Sequence, residues 1–300
     1  MTLPYITAEQ LASTLSHLDA TRAIQEALRR GLDPAAGPAR VTVPLRNGEF
    51  LLMPSETSGF AGVKVLSVAP GNPARGLKRI QGVYVLLDSE TLAPLALLDG
   101  AALTSLRTPA VSAAAADALA AETIEHLVVF GSGPQALGHV AAMRAIRAIE
   151  RVTLVARDPE RAEVAARTVN ARVGTTADVA SAQLVVCATT ARTPLFDSGL
   201  VRDDACLIAV GSHEADAREL DSAIMARSLV VVEDRATALR EAGEVAMPVE
   251  EGVLNPETLV SLRGLMADEH TVDFSRPRVF TSTGMPWEDL VIAAEVYRRS

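Results

Sequence analysis

Leu127-Val128-Val129-Phe130-Gly131-Ser132-Gly133-Pro134-Gln135-Ala136 is the stretch that decides the fold of this chain. Its first four residues are all apolar, the pattern of a strand covered on both faces. A glycine-rich turn follows at once, then a helical stretch to about Ile149, and a second strand begins at Val152. The turn has the spacing G-x-G-x-x-A. Gly131 permits the tight turn, Gly133 lets the backbone approach a pyrophosphate, and Ala136 lets helix and strand pack closely. The phosphates of a dinucleotide would then rest on free N–H groups at the helix N-terminus. Alone the spacing is weak evidence, and its bland alternative is a tight turn with no ligand. Between a strand and a helix it predicts a nicotinamide dinucleotide site made by Gly131, Ser132, Gly133, Pro134, Gln135 and Ala136.

Downstream, short apolar strands at 152–155, 184–187, 207–210 and 229–232 alternate with helical stretches. That alternation predicts an α/β, Rossmann-type doubly wound domain over 120–285. The end of its second strand reads Val155-Ala156-Arg157-Asp158. An NAD enzyme usually carries an acid there for the ribose hydroxyl, and an NADP enzyme a cation for the phosphate. Ala156 takes the acidic position and Arg157 follows, which favours NADP(H). Asp158 keeps NAD(H) as the alternative, and Arg157 could equally be a solvated loop charge.

Upstream the pattern differs. Thr7 with Gln10 reads as a capping box opening a helical region that reaches Arg30 with breaks. Short strands follow at 41–44, 49–53, 62–67, 83–87 and 94–98, separated by turn signals such as Asn47-Gly48 and Pro70-Gly71-Asn72-Pro73. They predict an antiparallel sheet. An alanine-rich helix at 101–122 contains Pro109, suited to a first turn or a kink, and residues 286–300 form one more helix. The expected organisation is an α+β domain of 1–119 plus 286–300 beside the Rossmann domain.

Composition narrows the function. The 300 residues are 49% hydrophobic and 22% charged, an ordinary globular balance, and aromatics are only 3%, so the core is built from Ala, Val and Leu. The net charge is −9, without a basic run interleaved with aromatics, which argues against nucleic acid as partner. An anionic substrate would therefore need individual, well-placed Arg and Lys residues. The two cysteines, Cys187 and Cys206, sit in apolar runs and read as core residues, and no Cys or His spacing suggests a metal site. The start MTLPYITAEQ lacks the features of a signal peptide, and no apolar stretch is long enough to span a membrane. A cytoplasmic location is expected.

Two stretches of the first domain, 62–77 and 98–112, closely resemble signature segments of the ornithine cyclodeaminase/μ-crystallin family. The Rossmann turn with Gln135, Ala136 and His139 resembles that family's version, as do Ala188-Thr189-Thr190, Arg218-Glu219-Leu220-Asp221 and Glu241-Ala242-Gly243-Glu244. The resemblance runs from about Arg40 to the C-terminus. It implies a homodimer whose first domain dimerises and binds substrate, with the active site in the cleft beside the Rossmann domain. It implies that Lys64 is the active-site lysine and that Arg107 and Arg40 bind a substrate carboxylate. Those residue types suit the chemistry, because the Arg fork clamps a carboxylate and a lysine with a lowered pKa can supply a proton. Read without the family, Arg107 and Lys64 would be surface cations. The resemblance also places Ala188, Thr189, Thr190, Val210, Gly211 and Ser212 against the cofactor, while His139 reads as a packed or cofactor-side helix residue.

Two positions depart from the cyclodeaminase pattern. Val210-Gly211-Ser212-His213 puts His213 where cyclodeaminases carry an aspartate, and Arg79 stands where they carry a small hydroxyl residue. Ornithine brings a cationic amine, which an added Arg and His would not welcome. His213 then reads as a general acid or base, or as a cap of its turn. The expectation is an NAD(P)H-dependent reductase or dehydrogenase of a small α-imino or α-keto acid, with a cyclic ketimine such as pyrroline-2-carboxylate foremost. The alternatives are ornithine cyclodeaminase and an NADPH-bound binding protein with little turnover.

Overall fold

The computed structural model describes residues 3–300. The chain divides into two compact units, one running to Thr108 and taking in Met285–Ser300, the other Pro109–Gly284. The first begins with β1 (Tyr5–Ile6), α1 (Ala8–Thr14) and α2 (His17–Arg29). The capping box forms as the sequence indicates: Gln10 N donates to Thr7 Oγ1 at 3.3 Å, and Thr7 N to Gln10 Oε1 at 2.9 Å. Ser16 then caps α2 by accepting from Asp19 N. Next come β2 (Val41–Leu45), β3 (Gly48–Thr57), β4 (Phe60–Val68), β5 (Ile80–Asp88) and β6 (Pro94–Asp99). They form one sheet in the order β1-β6-β5-β4-β3-β2. The meander β2 to β6 is antiparallel, as expected, and the unforeseen β1 joins β6 in parallel. A two-residue strand has too little pattern to be read in advance.

On β4 the period of two sends Gly62, Lys64 and Leu66 to the buried face. Cross-strand pairing sets Lys64 in a row with Met53, Tyr84 and Leu98, all buried. The helix α3 (Gly100–Leu119) follows β6 directly, Asp99 accepting from the N–H groups of Ala101 and Ala102. Pro109 lies inside this helix rather than in its first turn. Ala110 and Ala113 to Ala116 are fully buried, so the second half of the helix is covered on every side and its small side chains allow close approach.

The second unit is built on a parallel sheet. Its elements in chain order are β7 (Ile124–Phe130), α4 (Pro134–Ile146), β8 (Ile149–Val155), α5 (Pro159–Thr168), β9 (Arg172–Val173), β10 (Leu184–Cys187), β11 (Cys206–Ala209), α6 (Ser222–Arg227), β12 (Leu229–Val232), α7 (Arg235–Glu241), α8 (Gly243–Glu250), β13 (Val260–Ser261), α9 (Leu262–Met266) and β14 (Arg278–Thr281). The sheet order is β13-β12-β14-β11-β10-β7-β8-β9, and every pair is parallel. The chain runs outward from β7 to β9, then returns to the other side of β7 at β10. That reversal is the switch point at which doubly wound sheets bind ligands. β10, β11, β12 and β14 are buried throughout. Both cysteines lie in this core, and burial pushes the Cys206 thiol up to about 12.

The sequence reading missed β9, β13 and β14. The first two are two residues long, and β14 opens on a charge. Arg278 is nonetheless fully buried, its guanidinium donating to the carbonyls of Leu119, Arg276 and Asp204. The chain ends in α10 (Pro286–Arg299), which belongs to the first unit and packs on β3, β4 and α2. No helix among the described residues is long and apolar enough to cross a membrane.

Candidate active site

In the second unit the site begins where β7 ends. Gly131 has φ +123°, a conformation side chains rarely adopt, and a Cβ there would lie 2.6 Å from the carbonyl oxygen of Ala188. β7 and β10 therefore touch at the switch point only because residue 131 is glycine. Gly131 N donates to Val155 O at 2.9 Å, which ties the same turn to β8. Gly133 is the N-cap of α4, makes no side-chain cap, and would carry a Cβ into open space. Pro134 opens the helix with no N–H of its own. The helix thus leaves amide donors beside a surface bare of side chains. This cradle fits a dinucleotide pyrophosphate, with the helix dipole favouring negative charge.

The rim follows the C-terminal strand ends. Ala156 is half-buried, and Arg157 and Asp158 are exposed. Asp158 is committed locally: its carboxylate caps α5 by accepting from Arg161 N at 3.1 Å. Beyond β10, Thr189 gives both its N–H and its hydroxyl to Glu219 Oε1, at 2.8 and 2.7 Å. Beyond β11, Gly211 N donates to Glu219 Oε2 at 2.7 Å. Ser212 donates to Ala217 O, folding its loop back on itself, and His213 is exposed in that loop. Glu214 and Asp216, the two acids near His213, both pair with Arg192. His139 is fully buried, with Nδ1 on Gln135 O at 2.7 Å and Nε2 on Ser112 Oγ at 2.8 Å. It is a packed helix residue.

The first unit holds a buried charge cluster. Lys64 Nζ donates to Asp289 Oδ2 at 2.7 Å and to Thr104 Oγ1 at 3.2 Å. Arg107 donates to Glu288 Oε2 at 2.6 Å, and its Nε stands 3.4 Å from Asp289 Oδ1. Lys64 and Arg107 thus share one carboxylate. All four residues are 5% exposed or less. Burial pulls Lys64 down from 10.5 to about 8; Asp289 opposes the shift and Arg107 adds to it. The lysine can therefore carry or release a proton near neutral pH. Burial, with Asp289 beside it, holds the Tyr84 phenol well above its ordinary value, so it stays neutral.

Of the predicted substrate residues, the structure brings Lys64 and Arg107 together. Arg40, half-buried, immediately precedes Val41, whose partner Leu52 adjoins the cross-strand partner of Lys64, so its backbone lies at the end of the lysine's row. Arg79 is exposed beside Ala69, just past the C-terminal end of β4 and five residues from the position of Lys64. That separation is about 16 Å along the strand, at about 3.3 Å per residue. The sequence reading missed Glu288 and Asp289. Two consecutive acids between Trp287 and Leu290 in an apolar helix were the available signal. It also missed Glu219 and Glu244 as site residues, although both lie in family-like segments.

The sequence profile of the ornithine cyclodeaminase/mu-crystallin family matches residues 5–300. A Δ1-pyrroline-2-carboxylate reductase of Bacillus cereus is 34% identical over 279 residues, which span 88% of this chain and 86% of that protein. Among solved structures, the Δ1-pyrroline-2-carboxylate reductase of Thermococcus litoralis in complex with NADH and L-proline superposes with a TM-score of 0.90. It is 26% identical and covers 99% of this chain and 97% of its own. An archaeal alanine dehydrogenase dimer with bound NAD gives a TM-score of 0.92 at 26% identity, covering 100% of this chain and 96% of its own.

Proposed function

This chain belongs to the ornithine cyclodeaminase/mu-crystallin family, and from that premise we propose that it is an oxidoreductase that reduces a small cyclic imino acid, of the Δ1-pyrroline-2-carboxylate type, with a nicotinamide dinucleotide. The observation that carries this reading is the buried lysine of lowered pKa joined to a buried arginine through one carboxylate. A cyclic α-imino acid offers a carboxylate for the arginine and a C=N nitrogen that needs a proton. The reductases among its relatives act on that substrate by name.

Gly131, Ser132, Gly133, Pro134, Gln135 and Ala136 would hold the pyrophosphate, with Ala156 and Arg157 at the ribose and the loops 188–190 and 210–212 at the remainder. When bound, the dinucleotide supplies a hydride to the imine carbon. Arg107, with Arg40, holds the carboxylate; Lys64 delivers the proton to nitrogen; Asp289 keeps the lysine in place. Arg79 is the outer cation of the substrate site, and His213 a second proton group. The exposed Arg157, with Asp158 engaged in its cap, favours NADP(H) over NAD(H).

We assign the first unit to substrate binding and dimerisation. Support for the homodimer comes from the sheet edge, where Val41, Val43 and Leu45 of β2 and Phe50 of β3 are between 38% and 49% exposed. A contiguous apolar face of this kind calls for a partner surface. Ornithine cyclisation is disfavoured, since the place of its aspartate is taken by His213 and the nearby acids are bound to Arg192.

The test is oxidation of NADPH and NADH by the purified protein with Δ1-pyrroline-2-carboxylate. Proline formed in step with oxidised cofactor is expected, with NADPH the better donor. No oxidation with cyclic imines, together with proline and ammonia from ornithine at constant cofactor, would overturn the reading.

A further inference from the structure

Glu219 is 1% exposed and hydrogen-bonds through every polar group it has. Its two carboxylate oxygens face different loops. Oε1 accepts from the N–H and hydroxyl of Thr189, after β10, and Oε2 accepts from Gly211 N, after β11. The same Thr189 hydroxyl accepts from Ala191 N at 3.0 Å, so the order imposed at Thr189 passes along its loop. The backbone of Glu219 is fixed too: its N–H donates to Glu244 Oε1 at 2.7 Å, and its carbonyl accepts from Leu195 N at 2.9 Å. Gly211 completes the fit, since a Cβ there would lie 2.5 Å from Glu219 Cδ and 2.2 Å from Thr189 O.

Core packing does not account for this arrangement. A buried carboxylate costs several kcal/mol unless it is fully hydrogen-bonded, and an apolar residue would fill the same space more cheaply. What an apolar residue could not do is hold the amides of two neighbouring loops at one fixed spacing. β10 and β11 end side by side, with Cys187 opposite Ala209. Past those ends the ladder stops, and besides Glu219 the loops are joined through the exposed pairs of Arg192 with Glu214 and Asp216.

We propose that Glu219 is a positioning residue of the dinucleotide site: its carboxylate clasps the loops 188–191 and 210–212 into one rigid wall, and Glu244 anchors the clasp from behind. The inference rests on the reading of the second unit as a nicotinamide site and adds a residue to it. Glu219 acts through Thr189 and Gly211 rather than by touching the substrate.

The experiment is direct titration of NADPH and NADH into wild type, Glu219→Gln and Thr189→Val, without substrate, read by fluorescence, alongside thermal unfolding. Gln turns an amide donor toward one of the donors that Glu219 now satisfies. Loss of one such charged hydrogen bond corresponds to about tenfold or more in affinity. Glu219→Gln is expected to weaken dinucleotide binding by about tenfold or more and to raise the cofactor KM while leaving the imine KM near wild type. Thr189→Val, which keeps the N–H bond and removes the hydroxyl, is expected to fall between the two and guards against a misfolded Glu219 variant. Variants that lose thermal stability yet bind dinucleotide as wild type does would make Glu219 merely structural and overturn the proposal. Absence of dinucleotide binding by wild type itself would instead overturn the functional reading on which the proposal stands.

Discussion

At the candidate site, the first unit buries cations and answers them with carboxylates, while the second buries carboxylates and answers them with peptide N–H groups. Lys64 and Arg107 meet Asp289 and Glu288, which lie 225 and 181 residues away along the chain. Glu219 meets Thr189, Gly211 and the carboxylate of Glu244, at separations of 30, 8 and 25 residues. The difference follows from the sheets. An antiparallel sheet uses up its amides in the ladder, so a charge on its buried face must find another side chain. A parallel sheet ends in loops with free amides at its C-terminal edge, and these can solvate an anion. Breaking the first arrangement strands a charge; breaking the second loosens a loop.

The largest effect should come from Arg107→Met. It leaves Glu288 buried without its cation, which costs about 3–5 kcal/mol when one partner of such a pair is removed, and it takes away the proposed carboxylate fork. Denaturant unfolding should show the loss, and imine reduction should fall by orders of magnitude. Adding Glu288→Gln should restore most of the stability and none of the activity. Recovery of both would show that the arginine serves only to neutralise the helix.

Asp289→Asn removes the group that holds the Lys64 pKa up against burial. In wild type, reduction should decline above pH 8 as Lys64 loses its proton. In the variant that limb should move to lower pH by about one unit or more, since a shift of one unit corresponds to about 1.4 kcal/mol. An unmoved limb would assign the proton to another group.

Glu244→Gln examines the second unit. Burial first, and then the charge of Glu219, raise Glu244 from 4.5 to about 7. The folded state therefore binds the proton more tightly than the unfolded chain. The contribution of this group is fully present below pH 4.5 and is lost as pH rises through 7. Gln keeps the acceptor for Glu219 N and cannot ionise. It should match wild type at pH 5 and exceed it at pH 8 by about 2 kcal/mol, read by thermal unfolding.

The smallest effect has the opposite sign. His126 is buried between Ser181 Oγ at 2.9 Å and Thr153 Oγ1 at 2.8 Å, and burial, with Arg151 and Arg172 adding to it, lowers it from 6.5 to about 4. The unfolded chain then takes up the proton first, so stability falls as pH drops from 6.5 toward 4. His126→Gln should flatten that slope, a difference on the order of 1 kcal/mol or about 2–4 °C in Tm. An unchanged slope would place the acid sensitivity in other groups.

Much of this architecture is written locally. The apolar run 127–130 followed by Gly131 and Gly133 dictates strand, turn and helix, because positive φ and a bare helix end are properties of single residues. The capping box at Thr7 and Gln10 and the five antiparallel strands are legible for the same reason. The family-like segments supplied Lys64 and Arg107, and the fold brings those two together. What could not be read was how those charges are paid for. Glu288 and Asp289 sit in a helix whose acids look like a solvated face until α10 is laid against β3 and β4. Glu219 looks like an ordinary loop acid until β10 and β11 are adjacent. The sequence by itself determined the longer elements and the dinucleotide turn, since those depend on backbone conformation and local periodicity. Only the tertiary structure decided which charges are buried and what answers them, since desolvation and ion pairing depend on neighbours that the chain brings together from far apart.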